Sequence, residues 1–271
     1  MAQVGTSPIP TGGTTEPVAA SRGRVRVEPG HKRVRGVVGG VVVADTIRPW
    51  LVWEMPYYPV YYLPQADLHA ALVDTGQRQH SPSRWDGHLH DLVMHDGAGG
   101  QRTLAGVAST YPDSPIEALR DLVRLEWAAI DQWFEEDELV YTHPRDPYTR
   151  VDILASSRHV QVVVDGVTVA DSVRPHLLFE TGLPVRYYLP LTDVRMDLLR
   201  PSDTVTQCPY KGQAGYYSVE VGGVTHADLV WTYRTPLPEC VKIAGLVAFL
   251  DEQVDVYVDG VQQQRPRRPG A

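Results

Sequence analysis

Apolar residues recur at every second position through short stretches of this chain, and each stretch ends on a turn signal. Val160, Val162 and Val164 alternate before Asp165-Gly166, and Val167 and Val169 follow. A period of two puts such side chains on one face of a strand, and Asp-Gly accepts the positive φ angles of a two-residue type I′ turn, so the segment predicts a β-hairpin. Gly39-Gly40 marks the same hairpin earlier in the chain. A second hairpin is predicted over Ser218-Val219-Glu220-Val221-Gly222-Gly223-Val224, with His95-Asp96-Gly97 as its earlier counterpart, and the run Val254 to Val258 ends on Asp259-Gly260.

Helical periodicity is sparse. Ser114-Pro115-Ile116-Glu117 reads as a capping box with proline at the first helical position, and Ile116, Leu119, Val123, Trp127, Ile130 and Phe134 follow at helical spacing, predicting a helix over 115–132. Pro238 to Ala244 predicts one short helix before the strand-like Leu246-Val247-Ala248-Phe249, and Asp193 to Leu199 a single turn. The fold class expected is mainly β with a few short helices (β or α+β).

The same pattern occurs twice. Val41-Val42-Val43-Ala44-Asp45-Thr46-Ile47-Arg48-Pro49 lies against Val167-Thr168-Val169-Ala170-Asp171-Ser172-Val173-Arg174-Pro175, and the agreement runs without a gap through Glu54 and Glu180, Tyr61-Tyr62-Leu63-Pro64 and Tyr187-Tyr188-Leu189-Pro190, to Asp67 and Asp193. Such agreement marks duplication of a whole domain. The expected organisation is a tail over 1–22, a first copy over 23–142, a connector over 143–157, a second copy over 158–261 and a tail over 262–271, as two tandem small antiparallel barrel-like or tent-like domains. Both tails are rich in residues that bury little apolar surface and are expected to be disordered. The connector carries two prolines, dense charge and an aromatic residue over His143 to Asp152, so it is expected to be ordered and packed on both copies.

Composition narrows the function classes. The chain has 271 residues, enough for two cores, and a formal net charge of -8, which disfavours nucleic acid and anionic membrane as partners. Its first residues have neither a basic n-region nor an apolar h-region, and no apolar run approaches the ~18 residues of a membrane helix, so a cytoplasmic protein is expected. Two cysteines without a C-x-x-C exclude a Cys-rich zinc site or a disulfide scaffold. His88-x-His90 lacks a recognised metal motif and has no counterpart in the second copy, and no Gly-rich phosphate loop is present, so no metal and no cofactor are assigned.

Val167-Thr168-Val169-Ala170-Asp171, Glu180-Thr181-Gly182-Leu183-Pro184, Tyr187-Tyr188-Leu189-Pro190, Asp193-Val194-Arg195-Met196, Cys208-Pro209-Tyr210-Lys211-Gly212 and Trp231-Thr232-Tyr233 together resemble the bacterial domain of unknown function 427. The match covers the second copy nearly end to end, and the first copy resembles the tandem members of that family. The resemblance implies a compact antiparallel fold, in the manner of the tent-like pair of sheets of some small-ligand readers, and no activity.

Chemistry concentrates at Cys208-Pro209-Tyr210-Lys211-Gly212, opposite which the first copy carries Ser83-Arg84-Trp85-Asp86-Gly87. In that alignment a thiol has become a hydroxyl and an amine a carboxylate, so the copies are expected to divide labour. Lys211 and Tyr210 are candidate ligand contacts on a turn, or a solvated turn residue and a core aromatic. Cys208 is a candidate nucleophile, because a neighbouring amine stabilises a thiolate, or a small buried hydrophobe. Glu180 and Arg174 recur as Glu54 and Arg48, either as a buried Arg-Glu brace or with the carboxylate accepting hydrogen bonds from a ligand. Tyr187, Tyr217, Trp231 and Tyr233 are candidate walls for a small polar or planar molecule, against the alternative of an ordinary aromatic core.

Three functions follow from these residues: a small-molecule-binding module with its site in the second copy, an enzyme using Cys208 activated by Lys211 in thiol or acyl chemistry, and a protein-interaction scaffold. A monomer is expected, because the duplication already supplies paired domains.

Overall fold

The computed structural model describes residues 25–95 and 99–266. The expected tail over 1–22, the end of the tail over 262–271 and the Asp96-Gly97 turn lie outside the described residues.

The first copy contains β1 (Arg26–Pro29), β2 (Val34–Val38), β3 (Val41–Thr46), β4 (Trp50–Trp53), β5 (Val60–Pro64), β6 (Ala71–Ser81), β7 (Trp85–His95), β8 (Gln101–Thr110), β9 (Leu122–Leu125), β10 (Gln132–Glu135) and β11 (Glu138–Val140). The second contains β12 (Val151–Ala155), β13 (Val160–Val164), β14 (Val167–Ser172), β15 (His176–Glu180), β16 (Arg186–Tyr188), β17 (Leu199–Cys208), β18 (Gly212–Val221), β19 (Val224–Thr232), β20 (Val247–Phe249), β21 (Asp255–Val258) and β22 (Val261–Gln262). Helices are single short 3-10 segments, and none in the described residues is long and apolar enough to cross a membrane.

The two copies share one topology. In the first, the order β1-β4-β5-β9-β8-β7-β6 forms one sheet and β11-β10-β2-β3 a second; in the second, β12-β15-β16 and β20-β19-β18-β17 repeat the large sheet and β22-β21-β13-β14 the small one. The joint differs. Leu63 pairs with Val123 within a continuous ladder, whereas the equivalent Leu189 and Val247 form an isolated bridge closed by two backbone hydrogen bonds of 2.7 and 3.0 Å. All the strand ladders are antiparallel among the described residues.

Each large sheet is apolar on both faces. One face packs on the small sheet: Val160, Val162, Val164 and Val169 meet Val219, Val221, Val230 and Phe249, as Val34, Val38 and Val43 meet Leu92, Met94 and Ala108. The other face holds a second, more aromatic core around Tyr188, Tyr233, Cys240 and Ile243, matched in the first copy by Tyr62, Tyr111 and Leu119. Burial of these side chains on both faces supplies the main driving force for folding. The paired turns at Gly39-Gly40, Asp165-Gly166, Gly222-Gly223 and Asp259-Gly260 all have two consecutive positive φ angles, the signature of type I′.

The helix predicted over 115–132 does not form. A 3-10 turn at Glu117–Leu119, strand β9, another turn at Trp127–Ala129 and strand β10 occupy that stretch. Leu122, Val123 and Leu125 are all buried, and β9 lies between β5 and β8, so the central position of the sheet overrides a periodicity that short turns and strands satisfy equally well. Ser114 caps only a local turn, its hydroxyl accepting from the Ile116 amide at 3.1 Å.

Two boundaries also shift. Val151–Ala155, within the expected connector, is the edge strand β12 paired with β15, the counterpart of β1 on β4. Gln262 belongs to β22, and beyond it Gln263 donates its amide to Val256 at 2.8 Å and Arg265 pairs with Asp255, so backbone pairing orders residues that composition marked as tail.

Candidate functional site

The β17–β18 hairpin closes on the pair Cys208 and Gly212, and Gly212 has φ 94°. The β6–β7 hairpin closes in the same way on Ser81 and Trp85, with Trp85 at φ 75°. Equivalent closure sets the register: Ser81 matches Cys208, Arg84 matches Lys211 and Trp85 matches Gly212. The alignment of Asp86 with Lys211 is therefore corrected. Both copies keep a cation here, and the first tolerates a tryptophan where the second uses the glycine that a left-handed backbone favours.

Both cations meet the same partner. Lys211 Nζ donates to Glu180 Oε2 between side chains only 11% and 8% exposed. Arg84 donates to Glu54 in the first copy, where Tyr62 adds its hydroxyl to Glu54 at 2.7 Å and accepts from Arg84 at 2.8 Å. Burial disfavours the Lys211 ammonium, but the neighbouring Cys208 thiol and Glu180 carboxylate outweigh it and hold the amine above its ordinary range. The expected Arg174–Glu180 brace does not form. Arg174 is 64% exposed and pairs with Asp193 at 2.7 Å, as Arg48 pairs with Asp67 at 3.1 Å. Short reach on neighbouring elements favours these pairs, leaving the carboxylate on β15 to the hairpin lysine.

The other predicted residues divide among three places. Cys208, Lys211, Glu180, Trp231 and Tyr233 gather around the aromatic core, where Trp231 Nε1 donates to Tyr188 at 3.0 Å and Tyr233 is buried. Burial pushes the Tyr188 and Tyr233 phenols far above their usual range and the Cys240 thiol up to about 11. Tyr187 and Tyr217 pack half-buried against the opposite core, with Tyr187 also lining a cavity of about 200 Å³ beside Asp251. Tyr210 turns away from both, and its hydroxyl accepts from the Asp146 amide at 2.8 Å.

His90 Nε2 lies 2.8 Å from Thr110 Oγ1 on β8, and no group of three metal-ligating side chains is assembled among the described residues.

Tyr210 leads to the larger opening. A cleft of about 390 Å³ lies where the first copy, the connector and the second copy meet. Pro29, Lys32, Pro49, Tyr61 and Glu135 line it from the first copy, Arg145 to Thr149 from the connector, and Tyr210 and Glu239 from the second. The connector is pinned on both sides, by Trp53 Nε1 to Asp146 at 3.1 Å, by stacking of Tyr58 on His143 at 3.8 Å and by Tyr210. Of the cleft residues, sequence reasoning singled out Tyr210 alone. Arg145 and Tyr148 sit in a charged, aromatic connector, which was the available signal.

A family model described as a domain of unknown function (DUF427) matches residues 26–136 and again residues 152–260. No curated protein matches the sequence. With both matches falling on the two halves that share one strand order, the chain belongs to the DUF427 family and carries its domain twice in tandem.

Proposed function

We propose that this protein is a small-molecule-binding module, monomeric and cytoplasmic, whose ligand occupies the cleft between the two copies. The observation that carries this reading is the cleft itself: about 390 Å³ at a domain junction, lined by Tyr61, Tyr148 and Tyr210 together with charged residues from both copies and the connector, within the size and placement usual for ligand sites. The second copy contributes Tyr210, while Lys211 and Glu180 satisfy each other's charge and act as a brace instead of as ligand contacts.

A thermal-shift screen of the full chain against a metabolite library tests this. Compounds should raise the melting temperature, and Tyr148→Ala should abolish the shift. No stabilising compound, or hits indifferent to Tyr148→Ala, overturns the reading.

Thiol chemistry at Cys208 is the second reading, favoured by the position of this half-buried thiol at the end of the hairpin whose turn carries Lys211. Full engagement of that amine by Glu180 weighs against its serving as an activating group.

A further inference from the structure

We propose that the cleft selects a planar aromatic monocarboxylate anchored by Arg145; this rests on the reading of the cleft as a ligand site and names its chemistry.

Three of the cleft's carboxylates are already committed. Glu135 accepts the Tyr61 phenol at 2.8 Å and the Lys32 ammonium at 2.5 Å. Glu28 accepts the Tyr148 phenol at 2.6 Å and Arg26 Nε at 2.6 Å. Asp146 accepts the Trp53 indole at 3.1 Å and the Tyr148 amide at 2.7 Å. Arg145 is different: half-buried, it has no hydrogen bond and no ion pair among the described residues, although its charge reaches the buried Tyr61 phenol.

A half-desolvated guanidinium without an anion is an incomplete arrangement, and its planar fork matches a carboxylate with two parallel hydrogen bonds. The surrounding charge sets the limit. Glu28, Glu135, Asp146 and the exposed Glu239 all line the cleft, so a dianionic phosphate ester meets more repulsion than a monocarboxylate. The aromatic preference comes from Tyr148. Its hydroxyl is held by Glu28, the Arg26 guanidinium lies 3.9 Å from its ring centroid, and the residue as a whole is still 55% exposed. A wall fixed before binding loses little entropy on contact, and a planar ring matches it.

Calorimetric titration of the full chain with indole-3-acetate, its neutral amide and phenyl phosphate tests the inference. The carboxylate should bind, the amide and the phosphate at least about tenfold more weakly, since a hydrogen bond to a charged group is involved. Arg145→Gln should weaken the carboxylate by about the same factor with an unchanged melting temperature of the free protein, and Arg145→Lys should fall between. Equal binding of acid and amide, tighter binding of the phosphate, or full affinity in Arg145→Gln overturns the proposal. Amide binding that Tyr148→Ala removes leaves the cleft a ligand site while anion selection fails. Binding of none of the three overturns the inference, and a library screen without a Tyr148-dependent hit then removes the cleft reading as well.

Discussion

Lys211 and Glu180 form an ion pair sealed inside the second copy, joining the turn of one hairpin to the end of strand β15. Removing one partner strands the other charge in a poorly hydrated site. Lys211→Ala is therefore expected to destabilise the protein by about 3–5 kcal/mol, whereas the double variant Lys211→Met with Glu180→Leu should recover most of the loss. Urea unfolding of the full chain measures both. A loss under about 1 kcal/mol for the single variant would show the pair to be solvated like a surface bridge.

The hairpin register makes Arg84 the first copy's equivalent of Lys211, with Asp86 outside the pair. Arg84→Ala leaves Glu54 facing Tyr62 and Arg124 without its closest cation and is expected to cost several-fold more than Asp86→Ala. Asp86 is exposed and partners only His80, at 2.6 Å, among the described residues, so its loss should stay within about 1 kcal/mol. Equal effects in denaturant titrations would return the alignment to the one read from sequence.

Asp251 gives a pH dependence of unusual sign. Burial raises its carboxyl to about 7, against the pull of Arg186 3.3 Å away and with Glu252 adding to the rise. A folded state that holds the proton more tightly than the unfolded chain is favoured at low pH. This contribution is complete below the ordinary carboxylate range and is lost as pH climbs toward about 7. The difference in melting temperature between Asp251→Asn and the parent should therefore grow between pH 5 and pH 8 in favour of the variant, a window chosen around that value. A difference that stays flat or shrinks contradicts the assignment.

The two thiols should differ in reactivity. Cys240 is fully buried, donates to the Tyr210 carbonyl at 3.4 Å and is pushed up to about 11 by burial, whereas Cys208 is half-buried at a strand end. Native alkylation with iodoacetamide, followed by peptide mass spectrometry, should label Cys208 first and leave Cys240 unmodified until unfolding. Labelling in the reverse order would be incompatible with this packing.

Much of the fold was legible residue by residue. Val160, Val162 and Val164 with Asp165-Gly166 announced a hairpin because both the period and the turn chemistry are local. Tyr187 and Tyr188 were bound to face opposite ways, and they enter opposite cores. The stretch from Ile116 to Phe134 misled because apolar residues three and four apart satisfy a helix, a 3-10 turn and a short strand alike; the place between β5 and β8 decided among them. Arg174 and Glu180 recur together without touching, since recurrence reports that both are needed and says nothing of their partners.

The sequence by itself determined that one mainly β domain occurs twice and that Cys208 to Gly212 is a turn crowded with reactive groups, because periodicity, turn residues and duplication are all properties of neighbouring positions. Only the tertiary structure decided that Arg84 answers to Lys211, that Lys211 is spent on Glu180 and that Tyr210 faces a cleft shared with the connector. Register across a hairpin and pairing of charges far apart in the chain depend on which backbones meet in the folded sheet, and no local pattern encodes that meeting.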